Sequence, residues 1–304
     1  MTAVSTSAFY ERATHNIAGL RARAEGLQGD LARGERLIRS SQDPVAAARL
    51  RALSRADALA AVDTANAGRA ASDLQLADDA LGGFTSAIGR ARELATQAAN
   101  GTLNPAQRAA IGQELGQINA GLLSLANARD SAGHALFGGE ATGPAYTVDA
   151  AGNAVYGGTA SAGQLDLGDG QSVDRGVTGP QFLNFTAGGT ATDLFATLKG
   201  LADALQGGAA DPAGAARAAL TSLATGLSTV TTAQTVVGAR LNWIDLATTH
   251  ASQRGEQRAI EEAAVGGTDI AATITRLQQT MTVLEASQAS FARLSGLSLF
   301  DRIR

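Results

Sequence analysis

The chain contains no cysteine. That excludes a disulfide framework, a thiolate metal site and a cysteine nucleophile, and it leaves the compartment open because an exported protein can avoid thiols. Lys199 is the single lysine, so arginine carries almost all the positive charge. Aromatic residues make up 4% of the chain, with one tryptophan, and there are five prolines. So few large side chains argue against thick cores and for long helices that approach through alanine. A strong field of one sign is missing too: a net charge of −4 gives nothing to recruit nucleic acid. No run reaches membrane-spanning length. The start "MTAVSTSAFYERATHNIAGL" lacks the basic opening and apolar stretch of a signal peptide, so export would have to proceed without a cleaved leader.

What is present is helical periodicity. Ile17, Leu20, Ala24, Leu27, Leu31, Gly34 and Ile38 step by three and four, and so do Ile270, Ile274, Leu277, Met281, Leu284, Gln288 and Phe291. This is the narrow seam of a coiled coil rather than the broad apolar stripe of a helix lying on a core. Between these ends, "RSSQDP" marks a break, with Ser41 or Asp43 placed to cap a helix opening near Pro44. A long helix to about residue 99 carries Leu74, Ala77, Leu81, Phe84, Ile88 and Ala91 in the same rhythm. Asn100-Gly101 ends it, and Asn104-Pro105 opens the next, with Ile111, Leu115, Ile118, Leu122 and Leu125 on one face. Two hairpins are expected in "YTVDAAGNAVYGG" and "QLDLGDGQSV", followed by helix in "TDLFATLKGLADAL". A last long helix from Pro212 keeps the seam through Leu220, Leu223, Leu227, Val230, Gln234, Val237, Leu241 and Ile244.

The expected fold is therefore mainly α with a small β insert: a nested, long-helix coiled-coil rod made from both termini, with an outer domain rich in β-hairpins. The expected domains are 1–42 plus 263–304 as a terminal coiled-coil assembly domain, 43–140 plus 191–262 as a helical rod, and 141–190 as the outer β-rich domain. The inner seams read as the core of the single chain. The terminal seams, built from alanine, glycine and glutamine as well as larger residues, bury little apolar surface alone and read as assembly elements that need neighbours. The assembly interface is thus expected at Ile17, Leu20, Leu27, Leu31, Ile38, Ile270, Ile274, Leu277, Met281, Leu284 and Phe291.

Several of these segments resemble the flagellin superfamily. "LARGERLIRSSQDPVAAARLRAL" is similar to the link between its two N-terminal helices, "IGRARELATQAANGTLNPAQRAAIGQELGQI" to its next rod segment, and "VVGARLNWIDLA" to its returning helix. The resemblance covers about residues 5–140 and 215–304. "NARDSAGHALFGGEATG" and the ending "ASFARLSGLSLFDRIR" resemble the branch found at hook–filament junctions; flagellin itself usually lacks the terminal "SLFD". "LGDGQSVDRGVTGPQFL" resembles the start of that branch's outer domain. Gln42 departs from the pattern, where an acidic residue is common, and the insert is short and glycine-rich.

The resemblance implies a flagellin-like structural subunit of the bacterial flagellum, exported by the flagellar type III apparatus. It implies a ring between the first hook-associated protein and the flagellin filament. The partners implied are other copies of the chain, the first hook-associated protein, flagellin and a cytoplasmic export chaperone; nucleic acid and membrane are not among them. The chaperone is expected on the C-terminal region, at Leu277, Leu284, Phe291 and Leu294. The alternatives are a flagellin filament subunit and, from another class, a secreted helical adhesin that uses its β knob.

Enzymatic chemistry finds no foothold. His15, His134 and His250 lie far apart, there is no G-x-S-x-G elbow, and no GxGxxG or Walker loop is present. Asp166, Asp169 and Asp174 do not follow the spacing of an EF-hand loop and read as hairpin-turn aspartates. Arg33, Arg36 and Arg39 alternate with Asp30, Glu35 and Asp43 and read as a solvated or salt-bridged helix face. No catalytic residue, cofactor or metal is expected.

Overall fold

The computed structural model describes residues 3–36 and 40–300. Four long helices carry most of these residues: α1 (Ala3–Arg33), α2 (Pro44–Ala98), α6 (Pro212–Gly266) and α7 (Ile270–Phe300). Two shorter helices, α3 (Pro105–Ala126) and α5 (Leu194–Asp203), and a single helical turn, α4 (Gly179–Leu183), lie between them in sequence. The chain divides into two compact units, Leu59–Ser252 and a second made of Met1–Ala58 with Gln253–Arg304.

In the unit 59–252, the expected seams become the core. Leu74, Leu81, Phe84, Ile88 and Ala91 of α2 are buried, as are Leu115 and Leu122 of α3. On α6 the buried line is Leu223, Val230, Val237 and Ile244; Leu220, Leu227 and Leu241 flank it and are only partly covered. Gln234, the polar member of that seam, is matched by the Thr85 hydroxyl, which donates to its side-chain oxygen at 3.2 Å. The start of α3 follows from "NPAQ". The Asn104 side chain accepts from the Gln107 N–H at 2.8 Å, and the Gln107 side chain accepts from the Asn104 N–H at 3.0 Å. Pro105 fills the first helical position, where no N–H is needed. Gly112 lets α3 lie close to α5, since a Cβ there would come within 2.9 Å of the Ala202 carbonyl oxygen.

Three two-stranded antiparallel sheets follow α3 in sequence. Strand β1 (Tyr146–Val148) pairs with β2 (Ala154–Tyr156), and β3 (Gln164–Gly168) with β4 (Gln171–Asp174), as the two expected hairpins. The turn of the second places Asp169 at φ 53° and Gly170 at φ 72°, the paired positive values that an Asp-Gly hairpin turn requires. A third hairpin, β5 (Asn184–Ala187) with β6 (Thr190–Asp193), turns at Gly188-Gly189 and was not among the sequence expectations.

An isolated two-stranded hairpin is marginal in water, and these are anchored by side chains in the helical core. Tyr146 packs against Tyr156 and Phe195 with ring centroids 5.2 Å apart in both cases. The Asn127 amide grips the backbone of Tyr146 from the end of α3, donating to its carbonyl and accepting from its N–H, both at 2.9 Å. Arg240 of α6 donates to Asp174 at 2.6 Å and to the Gly176 carbonyl at 2.7 Å. Phe182 lies 5.3 Å from Phe84 and 5.0 Å from Phe137, and all three rings are fully buried. Residues 141–190 therefore share their core with α2 rather than enclosing a separate one.

Candidate assembly surface

The second unit pairs the two ends of the chain. Helix α1 stops at Arg33 because Gly34 takes φ 71°, the left-handed cap that glycine adopts without strain, with its N–H donating to the Asp30 carbonyl at 2.9 Å. Gly34 is thus a helix terminator and not a seam position. Ile38, the last expected seam residue, lies outside the described residues. Helix α7 opens under Asp269, whose carboxylate accepts from the Ala272 N–H at 3.0 Å.

Between α1 and α7, Ala24 is buried and Ile17, Leu20, Leu27 and Leu31 are half-buried. From α7, Thr273 and Leu284 are buried, with Leu277, Gln288 and Phe291 half-buried. The Tyr10 ring meets Phe291 edge-on, and the Tyr10 hydroxyl donates to the Leu294 carbonyl. Thr14, Ile17, Arg21 and Glu25 of α1 and Gln288 and Phe291 of α7 line an open groove of about 530 Å³.

The rest of the expected α7 seam faces elsewhere. Ile270 is 60% exposed, Ile274 42% and Met281 37%, and Leu294, near the end of the described side chains, is 44% exposed. At about 100° per residue, Ile274 and Met281 lie roughly 80–100° round the helix from Thr273 and Phe291. The period finds a wide apolar face; α1 covers one side of it. Val283 at 51% and Phe9 at 44% add to the uncovered apolar surface and were missed. The signal for Phe9 was available in the aromatic pair of "AFYE", whereas Val283 lies off the seam period.

Arg33 and Arg36 do not share a helix face. Arg33 pairs with Asp30 at 3.0 Å inside α1, Arg36 lies beyond the helix end, and Arg39 is outside the described residues. His15 and His250 are exposed, and the His134 ring lies 3.3 Å from Asp130. In the β3–β4 hairpin, Asp166 accepts from the Gly168 N–H at 2.9 Å, a turn contact, and Asp174 belongs to the Arg240 pair. Among the described residues no three His, Cys, Asp or Glu side chains cluster as metal ligands, and no helix is long and apolar enough to cross a membrane. The chemistry on offer is apolar packing between helices.

Comparison with known proteins gives the same direction. Residues 4–142 match the bacterial flagellin N-terminal helical region. Over 313 residues, 98% of both chains, the sequence is 29% identical to flagellar hook-associated protein 3 of Escherichia coli (strain K12). It is 26% identical, again over 98% of both chains, to the protein of the same name from Salmonella typhimurium. The fold is that of the flagellar junction protein of Legionella pneumophila, with a TM-score of 0.59 at 15% identity over 72% of this chain and 99% of that one.

Proposed function

We infer that this chain, a member of the flagellin superfamily, is a structural subunit of the bacterial flagellum working at the junction between hook and filament. The observation that carries the reading is the pairing of α1 with α7, which brings the chain ends together and leaves Ile270, Ile274 and Met281 uncovered beside the pair. An apolar stripe on an exposed helix is stable in water only at a cost, and burial against a neighbour removes it. Similarity along almost the whole length to two hook-associated proteins supports the same reading. Junction assembly, rather than filament growth, is favoured by the "SLFDRIR" ending and by "NARDSAGHALFGGEATG".

On this reading copies of the chain form a ring. The first hook-associated protein lies on one side of the ring and flagellin on the other. The interface lies on the uncovered side of the terminal helices, at Ile270, Ile274 and Met281, beside the half-buried Ile17, Leu20, Leu27, Leu31, Leu277 and Phe291, with Leu284 buried inside the α1–α7 pair. An export chaperone that grips Leu277, Leu284 and Phe291 takes the place of α1, since those side chains face α1 in the folded chain; Leu294 remains open to it. The protein acts by packing and not by catalysis.

The test is localisation together with self-assembly. In a strain lacking the gene, the protein supplied from a plasmid should restore motility and be detected by immunogold labelling at the junction only. The purified protein should remain monomeric in the electron microscope. Long filaments formed by the purified chain alone would favour the flagellin alternative instead.

A further inference from the structure

The two chain breaks in the unit 1–58/253–304 meet. After α1 ends, residues 34–36 run antiparallel to 266–268, the link from α6 to α7, with Glu35 opposite Gly267. The Arg36 N–H donates to the Gly266 carbonyl at 2.9 Å, and the Thr268 N–H donates to the Gly34 carbonyl at 2.9 Å. Those two bonds are a minimal ladder between links that a rhythm-based reading treats as independent.

Arg36 adds a side chain to this ladder. Its Nη2 donates to the Val265 carbonyl at 3.2 Å, one of the carbonyls left without a partner where α6 ends. The same nitrogen lies 3.6 Å from Asp43 Oδ2. Asp43 in turn caps α2: its Oδ1 accepts from the Ala46 N–H and its carbonyl accepts from the Ala47 N–H, both at 3.0 Å. One cation thus meets the negative C-terminal end of α6 and the carboxylate that opens α2. The flanking helix turns are also tied, by Arg49 donating to Glu261 at 2.8 Å and by Arg258 donating to Asp57 at 2.6 Å. Gly267 is required sterically, since a Cβ there would come within 2.3 Å of the Ala263 carbonyl oxygen.

We propose that Arg36 is the positioning residue of this joint: it locks the 34–36 and 266–268 links together, so that α1 and α7 leave the ends of α2 and α6 as one pre-set pair. The proposal rests on the assembly reading above for its consequence but not for its geometry. A ring subunit whose terminal pair is set in direction before it meets a neighbour loses less freedom on docking, and so docks more readily.

The experiment uses the full chain. Amide hydrogen exchange should find the Arg36 and Thr268 N–H groups protected in the wild type. Arg36→Ala should speed exchange at Thr268 about three- to tenfold, the range for losing an exposed charge-assisted contact, and leave Val237 in α6 unchanged. Arg36→Lys, which keeps the charge but not the fork, should lie between. In a complemented strain, Arg36→Ala should be secreted at the wild-type level and enter the junction less efficiently, with Arg36→Lys again intermediate. Unprotected Thr268 in the wild type would overturn the joint. So would an Arg36→Ala protein with wild-type exchange, or one with fast exchange and wild-type incorporation. Absence of the wild-type protein from the junction would instead overturn the assembly reading, and the exchange data would still decide the joint.

Discussion

The rings of Tyr10 and Phe291 pack edge-on with centroids 5.6 Å apart, and the Tyr10 hydroxyl donates to the Leu294 carbonyl at 3.3 Å. The contact joins residues from opposite ends of the sequence, in a helix pair whose covered seam, Leu284 apart, is otherwise small or half-buried. Aromatic edge-to-face packing adds about 0.5–1.5 kcal/mol beyond the area it buries, a large share of what such a seam can supply.

Phe291→Ala should therefore loosen α1 from α7 by about 1–3 kcal/mol, below the range for losing a fully buried aromatic because Phe291 is only half-covered. The single tryptophan, Trp243, belongs to the unit 59–252 and reports on that unit by fluorescence. Helical signal in circular dichroism should begin to fall at lower temperature in the variant, while the Trp243 transition stays in place. Equal shifts of both signals would show that the chain melts as one body.

The inserted hairpins should prove inseparable from the helical core. Phe182→Ala removes a fully buried ring that touches Phe84 and Phe137. The expected cost is about 3–5 kcal/mol, read as a fall in the urea midpoint of Trp243 fluorescence. Deleting residues 143–188 takes Phe182, Leu183 and Phe185 together and should abolish the cooperative transition.

Two neighbouring carboxylates should respond to pH in opposite directions. Burial alone would raise the Asp130 pKa, but hydrogen bonds from the His134 N–H, its ring and the Ala132 N–H outweigh burial and hold it below the ordinary carboxylate range. The stability it contributes is present above about pH 4 and is lost as pH falls through its lowered folded value. Asp73 is raised, first by burial and then by the charge of Asp130, so the folded chain holds its proton more tightly. Its ionisation therefore costs stability as pH rises above about 4 through the raised folded value. At pH 7, Asp130→Asn should destabilise the unit 59–252 and Asp73→Asn should stabilise it. Both differences should shrink in urea melts at pH 3.

The long helices and their inner seams were legible because Leu74, Leu81, Phe84 and Ile88, and Leu223, Val230, Val237 and Ile244, repeat at spacings that only a helix brings to one side. The Asn104-Pro105 start was legible because its cap is local chemistry. What escaped depends on contacts between distant residues. A period identifies a face but not which side of that face a partner covers, so Ile270, Ile274 and Met281 could not be separated from Leu284. Gly34 fits the three-four rhythm equally as a seam position and as a left-handed cap. The third hairpin was hidden because "FTAGGTAT" places Ala and Thr where stronger alternation would show. Arg36 looked like one of three helix-face arginines, since nothing local announces a carbonyl more than two hundred residues away.

Ile274→Asp tests the central claim most directly. Leu284 is 7% exposed, so a charge there would disrupt the monomer itself, whereas Ile274 is 42% exposed and its change leaves the α1–α7 seam intact. Surface substitutions of this kind usually alter stability by no more than about 0.5 kcal/mol. Burying an uncompensated carboxylate at an interface costs several kcal/mol. The variant is to be produced in a strain lacking the wild-type gene, with melting, secretion and junction incorporation measured side by side. The predicted result is a wild-type melting curve, wild-type secretion, and no protein at the hook–filament junction. Normal incorporation of the Ile274→Asp protein would contradict the account, because the outward side of α7 would then lie free of neighbours in the assembled flagellum.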